Sequence, residues 1–289
     1  MIDLVPYENI EKKAYDRCVS GSEYFRVYAT SSYLDSIAQK WDALIYRDYQ
    51  AVMPVPHRRK YGLSYVYMPS FTQQLGVFSP EKVSADLEKN FHKSLISKFI
   101  LVDYAFHSGS RSKGSWQERV NYTLDLSRGY EVLLRGFNTN RKRIIRKGFH
   151  NLTLEKSQET NFFLNQLEQP DLGYVPNAAL VAGLKRLIDQ NPEIVRTWNV
   201  YNENQWVGGL LWLQDQRRIT YLFPVASQKG KDLDAPTFIL DKLIQEHQDT
   251  DLLLDLEGSM IQGVARFYRS FGAQPETYYF MKSRLYGLL

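Results

Sequence analysis

The chain has 289 residues, a formal net charge of +4 and an isoelectric point near 8.9, and 44% of its residues are hydrophobic. This composition is typical of a folded globular protein, and it excludes a disordered chain, a collagen-like repeat and a disulfide-stapled miniprotein. Because domains usually contain about 100–200 residues, the length predicts two domains.

Cysteine content and hydropathy predict the compartment. Cys18 is the single cysteine, so the chain forms no internal disulfide, which favours a reducing compartment. Residues 1–6 lack the basic and apolar segments of a signal peptide. The longest apolar stretch, residues 207–213, is far shorter than the ~20 residues of a membrane span. We therefore expect a cytoplasmic protein without a membrane span, and the unpaired spacing of the five histidines predicts no metal site.

Two stretches of the chain share one order of predicted elements. Alternating apolar residues around polar turns predict hairpins at residues 41–56 and 198–212. Each hairpin is followed by a turn with basic residues and then by an aromatic strand. The turns are at 57–60 and 215–218, and the strands are at 65–68 and 221–224. Tyr46 of the first stretch corresponds to Tyr201 of the second, 155 positions later.

Both stretches continue through a helix to another strand. Apolar residues at helical spacing predict one helix over 80–98, capped by Ser79, and a second over 235–248. Apolar strands follow at 99–104 and 252–256. The repeated unit predicts an α/β (α+β) fold of two tandem domains, each a mixed, mostly antiparallel sheet flanked by helices.

A break in the pattern at Ser127, Gly129 and Gly136 predicts the division between the two domains. We expect the domains to span residues 1–126 and 127–289.

Positive charge is concentrated in residues 128–150. This segment has seven Arg and Lys residues and one acid, Glu131, so its charge is +6 and the remainder of the chain has −2 of the total of +4. It predicts a basic helix over 138–148. The candidate anion-binding residues are Arg141, Arg143, Arg146 and Lys147. A solvated helix face explains the same charges without a ligand.

The end of the chain carries a recognisable set of residues. Ala265, Phe267, Tyr268 and Gly272 follow the strand–helix–strand unit, and together they resemble the closing helix of the GNAT (N-acetyltransferase) superfamily. Two such units in tandem resemble the Fem-type (FemAB-like) aminoacyltransferases, which build peptidoglycan interpeptide bridges. The basic stretch 138–148 and the run 255–259 are similar to elements of that family's second domain.

The resemblance implies an N-acyltransferase or aminoacyltransferase. The donor would be acyl-CoA or aminoacyl-tRNA, which makes tRNA a partner, and the acceptor would be an amine of a small molecule or a cell-wall precursor. It also implies that Tyr268 protonates the departing thiolate. Strand alternation places Asp255 and Glu257 on one side of a strand, where they could orient or deprotonate the amine. Core packing explains Tyr268, and a strand-end carboxylate pair explains the other two residues, without catalysis.

The pyrophosphate loop of the GNAT family corresponds to residues 227–232. The expected cofactor-binding residues are Val225, Ser227, Gln228, Lys229, Gly230 and Lys231. Only Gly230 matches the family pattern in register, and Asp232 would repel a phosphate. The first domain's loop, residues 72–78, has one glycine and no lysine, so we expect no nucleotide-type cofactor there. These departures favour an alternative, a non-catalytic module of the same fold that binds RNA or another anionic partner through helix 138–148.

Overall fold

The computed structural model describes residues 1–111, 116–149, 151–157, 160–167, 172 and 176–283. The chain divides into two compact units: the first comprises Met1–Arg119 and the chain from Thr277 onward, and the second comprises Val120–Glu276. In this division the chain from Thr277 onward belongs to the first unit. The domain boundary that the sequence places between residues 126 and 127 stays a prediction.

The first unit is built on a mostly antiparallel set of strands. In spatial order they are β1 (Ile2–Val5), β2 (Trp41–Tyr46), β3 (Ala51–Lys60), β4 (Leu63–Val66), β5 (Leu101–Phe106) and β12 (Gln274–Ser283). β4 and β5 are parallel, and the other neighbouring pairs are antiparallel. The helices are α1 (Lys12–Gly21), α2 (Ser31–Ile37) and α3 (Ala85–Lys98), with short 3-10 turns at Tyr7–Asn9 and Val27–Ala29.

Two boundaries predicted in the first unit are wrong. The basic residues 57–60 complete β3 instead of forming a turn, because they pair with β4 across the hairpin. α3 begins at Ala85 rather than at residue 80. Ser84 is its cap, with Oγ accepting a hydrogen bond from the Leu87 N–H at 3.2 Å, whereas the Ser79 hydroxyl donates to the Gln50 carbonyl.

The second unit repeats this arrangement. In spatial order its strands are β6 (Gln117–Asp125), β11 (Leu253–Leu256), β10 (Arg218–Ala226), β9 (Gln205–Gln214), β8 (Val195–Asn202) and β7 (Leu152–Ser157). β10 and β11 are parallel, and the other neighbouring pairs are antiparallel. The helices are α4 (Tyr130–Gly136), α5 (Thr139–Lys147), α6 (Thr160–Gln166), α7 (Ala178–Gln190), α8 (Gln228–Asp232), α9 (Ala235–His247) and α10 (Gln262–Arg269).

The structure confirms the repeated unit of the predicted fold. In each unit a hairpin (β2–β3 or β8–β9) leads to a strand (β4 or β10), a helix (α3 or α9) and a parallel strand (β5 or β11). The core of the second unit packs α9 and the end of α10 against the sheet through residues such as Trp212, Tyr221, Phe238, Leu254 and Phe271. In the described ranges, no helix combines the length and apolarity that crossing a membrane requires.

Candidate functional site

The parallel pairing of β10 with β11 is short. Their parallel pairing covers only Arg218–Thr220 of β10 and Leu253–Asp255 of β11. Immediately afterwards β10 contains a β-bulge. Between its pairs Thr220–Leu213 and Phe223–Leu211 with β9, two residues of β10 stand opposite one residue of β9. Such a bulge bends the strand and changes the direction of its side chains, and β10 continues to Ala226 without pairing to β11.

A cavity of about 570 Å³ lies beside the second half of β10. Its wall is formed by the second half of β10, by the segment from α8 to α9 and by α10. Most of the lining side chains are apolar, and among the described lining residues Lys231 carries the charge. The volume lies within the range of small-molecule binding sites.

Tyr268 lies in the wall of this cavity. The residue is 4% exposed, and its ring stands perpendicular to the ring of Tyr221, with 6.1 Å between centroids. Burial, together with the neighbouring Tyr221 and Glu257, raises the pKa of Tyr268 well above its usual value of 10. Tyr268 therefore keeps its proton at neutral pH and is able to donate it to a more basic atom. The predicted catalytic role stays a prediction.

Glu257 follows the end of β11 and is partly buried. Burial raises the pKa of its carboxyl well above the usual value of 4.5. A carboxyl group perturbed in this way can accept a proton closer to neutral pH than an exposed one. The charge of Glu257 also contributes to the raised pKa of Tyr268.

Asp255 belongs to a buried polar network within the second unit. Its carboxylate accepts hydrogen bonds from Asn121 Nδ2 at 2.6 Å and from Arg218 at 2.8 Å. Arg218 also donates to Glu276 at 3.1 Å. Because both carboxylate oxygens of Asp255 have protein donors and the residue is 1% exposed, its position is explained by stability, and its catalytic role stays a prediction.

The expected phosphate-binding segment folds as the short helix α8 and is not an open loop. Ser227 caps the helix: its Oγ accepts from the Gly230 N–H at 3.1 Å, and its own N–H donates to the Val207 carbonyl at 3.0 Å. Gly230 packs so closely on Val207 that a Cβ would lie 2.0 Å from the carbonyl oxygen. Lys229 Nζ donates to Gln205 at 2.9 Å.

These contacts divide the six predicted cofactor-binding residues. Val225 and Lys231 line the cavity. Ser227, Lys229 and Gly230 have the contacts described above, and Gln228 donates to Asp232 on the same helix. Binding of a cofactor by this segment stays a prediction.

The predicted basic helix is present as α5. Asn138 caps it by accepting from the Arg141 N–H at 2.9 Å, and Gly148 ends it with a φ of 79°. The Arg141 guanidinium donates to Ser270 Oγ at 2.9 Å and lies 4.9 Å from the ring centroid of Phe267, a residue of the cavity wall.

The four predicted anion-binding residues of α5 therefore do not form one site. Arg141 is partly buried behind the cavity wall, whereas Arg143, Arg146 and Lys147 are exposed. Anion binding by any of them stays a prediction.

The corresponding place in the first unit is filled by the chain itself. After β4, Met68 Sδ accepts a hydrogen bond from the Ala105 N–H at 3.3 Å. Leu75 then forms a parallel bridge with Phe106 of β5, and the Leu75 N–H donates to the Ala105 carbonyl at 2.9 Å. Beyond the end of β4, the segment around Leu75 therefore takes the place beside β5.

Neither Tyr221 nor Arg218 was identified from the sequence as a candidate functional residue. Tyr221 was part of a predicted aromatic strand, but the bulge that places it in the cavity wall has no pattern of its own. Arg218 was part of a predicted turn, although it binds two carboxylates. In the part of the chain that the structure describes, no group of three His, Cys, Asp or Glu residues is arranged to hold a metal ion.

No protein-family model and no curated protein matches the sequence. Solved structures do resemble the fold. FemX superposes with a TM-score of 0.62 at 12% identity, over 93% of this chain and 96% of FemX. A tandem GNAT protein from the clavulanic acid biosynthesis pathway gives a TM-score of 0.56 at 8% identity, over 98% of each chain. The C-terminal domain of a putative lysylphosphatidylglycerol synthetase from Agrobacterium fabrum gives 0.55 at 11% identity, over 85% of this chain and 84% of that one.

These likenesses show a tandem GNAT-like fold of the Fem type. They agree with the resemblance that the residues at the end of the chain indicated.

Proposed function

We propose that the protein is an acyltransferase of the GNAT/Fem type, and that the second unit moves an acyl or aminoacyl group onto an amine. The observation that carries this proposal is the cavity between the second half of β10, the segment from α8 to α9, and α10, which has the buried Tyr268 in its wall. The fold shared with FemX and with a tandem GNAT protein supports the same assignment.

Each residue of the site has a distinct part in the proposed reaction. The amine nitrogen attacks the acyl carbonyl carbon, and the bond from that carbon to the leaving sulfur or oxygen breaks. Tyr268 donates its proton to the leaving atom, and Glu257 accepts the proton that the amine loses. The raised pKa of Glu257 makes its carboxylate a stronger base, and the raised pKa of Tyr268 keeps its hydroxyl protonated near neutral pH until the leaving atom takes the proton.

Acyl-CoA is the donor that we propose first. The cavity is mostly apolar, which suits the uncharged arm and acyl group of a thioester better than it suits a polyanion. Aminoacyl-tRNA is the alternative donor, and its phosphates would contact the exposed cations Arg143, Arg146 and Lys147 of α5. The proposed acceptor is an amine of a small molecule or a cell-wall precursor.

The first test measures binding and transfer together. Wild-type protein is titrated calorimetrically with acetyl-CoA and with aminoacyl-tRNA, and transfer to a panel of amines is followed by release of free thiol or free tRNA. Tyr268→Phe should lower kcat by about 10²–10⁴-fold while leaving the donor Kd unchanged, because the proton is needed only during reaction. Tyr65→Phe, in β4 of the first unit, is the matched control and should leave kcat unchanged.

Absence of binding to both donors would overturn the proposal. RNA binding without turnover, with an affinity that falls steeply as salt rises, would instead support the non-catalytic module that binds through α5.

A further inference from the structure

The hydroxyl of Tyr221, a residue that lines the cavity, is buried and has no hydrogen-bond partner among the described residues. Tyr221 is only 1% exposed. Other fully buried tyrosines of the chain donate to backbone carbonyls: Tyr15 to Ala29 and Tyr104 to Pro54, each at 2.8 Å. Burying a hydroxyl without a partner costs stability, so a hydroxyl left this way beside a cavity indicates a polar atom of a ligand.

The position of Tyr221 supports this interpretation. It is the first residue of β10 beyond the parallel pairing with β11, and it begins the bulge opposite Trp212. Its ring stands at 85° to the ring of Tyr268, so the two phenol groups belong to one part of an otherwise largely apolar wall.

We propose that the Tyr221 hydroxyl donates a hydrogen bond to the carbonyl oxygen of the acyl group that is transferred. This inference rests on the proposed function and adds a second tyrosine to the proposed site. Tyr221 would bind the carbonyl oxygen and keep its proton throughout the reaction. As the amine nitrogen forms its bond to the carbonyl carbon, the π electrons of the carbonyl move to the oxygen. The oxygen then accepts the hydrogen bond more strongly, which stabilises the tetrahedral intermediate until the leaving group departs and Tyr268 protonates it.

Protonation of Tyr221 is consistent with this donor role. Burial raises the pKa of its hydroxyl above the usual value of 10, so the group retains its proton at neutral pH and has a hydrogen available to donate.

The test is Tyr221→Phe, which removes the hydroxyl and keeps the ring. Because the hydroxyl has no described protein partner, Tm should stay at the wild-type value or rise. Tyr104→Phe is the matched control, and it should lower Tm because it removes a buried hydrogen bond to Pro54.

Binding and turnover are measured with pairs of probes that differ in the carbonyl. Acetyl-CoA is compared with CoA, and aminoacyl-tRNA with uncharged tRNA. Tyr221→Phe should weaken binding of the acylated probe about 10-fold and leave its deacylated partner unchanged. It should also lower kcat about 10²-fold, as expected for one oxyanion donor.

The possible results separate this inference from the proposed function. Equal affinity and equal kcat in wild type and Tyr221→Phe would overturn the inference and leave the proposed function standing. A fall in Tm as large as that of Tyr104→Phe would also overturn it, because the hydroxyl would then have a structural partner. A wild type that binds none of the four probes would overturn both.

Discussion

Replacing Gly230 by Ala is expected to separate α8 from β9. The added methyl group would lie 2.0 Å from the carbonyl oxygen of Val207 and 3.0 Å from its carbonyl carbon. Val207 belongs to β9, which is paired with β8 on one side and with β10 on the other, so its carbonyl is held in place. The clash is therefore relieved by movement of α8.

The size of the effect follows from the hydrogen bonds that this movement would break. The Ser227 N–H and Oγ each donate to the Val207 carbonyl, at 3.0 and 3.2 Å, and Ser227 Oγ accepts from the Gly230 N–H at 3.1 Å. At about 1 kcal/mol for each bond, the free energy of unfolding should fall by about 3 kcal/mol. For a protein of this size the corresponding loss in Tm is about 6–12 °C.

Gly183→Ala is the matched control, because the same substitution at this position should not lower the free energy of unfolding. Gly183 lies inside α7, and a methyl group added to it meets no other atom within 4 Å. Alanine is favoured over glycine within a helix by about 0.5–1 kcal/mol, so this variant should be as stable as the wild type or more stable. Circular dichroism melts and urea titrations measure both variants. A Gly230→Ala protein that melts within about 2 °C of the wild type would refute the reasoning.

Two further predictions concern charged and titratable groups. Arg218→Met should lower the free energy of unfolding, measured by urea titration, by about 3–5 kcal/mol, because it leaves the buried Asp255 without its cation. The control Lys156→Met removes one partner of an exposed ion pair and should cost less than about 1 kcal/mol. Equal losses of stability in the two variants would contradict this prediction. Burial lowers the pKa of His92 to about 4, so between that value and about 6.5 the unfolded chain binds a proton that the folded chain does not. Stability should therefore fall by about 2 kcal/mol from about pH 7 to about pH 5. His92→Phe should remove this fall, and equal pH slopes in the two proteins would count against it.

The fold was predictable where local patterns determine local structure. Alternation and helical spacing predicted both hairpins, α9 and the parallel strand that follows each crossover helix, because these elements bury one face. The basic helix α5 was predictable from its cap Asn138 and its end at Gly148. The boundary errors arose where two local solutions compete: Ser79 and Ser84 are both acceptable caps, and residues 57–60 extend β3 because β4 is available to pair with them.

The site was less predictable, because its main features depend on contacts between distant residues. Tyr268 was identified from its motif, and the structure places it in the cavity wall. In contrast, Arg218 meets Asp255 from a different strand, 37 positions away. The role inferred for Tyr221 depends on a bulge, which is a shift of register between β9 and β10. We find no residue pattern in either strand that predicts this shift.

The two units repeat a fold but differ in the path of the chain after the corresponding strands β4 and β10. β4 and β10 each run parallel to a following strand, but the chain after β4 returns to β5 through the bridge between Leu75 and Phe106. The chain after β10 stays beside β9 as far as Ala226 and then enters α8, and a cavity lies beside this part of β10. The path of the chain after the corresponding strand therefore differs between the two units. The close approach of Gly230 to Val207 fits α8 against β9, and Lys231 of the same helix lines the cavity, so this glycine bears on the wall of the cavity in which the transfer would occur.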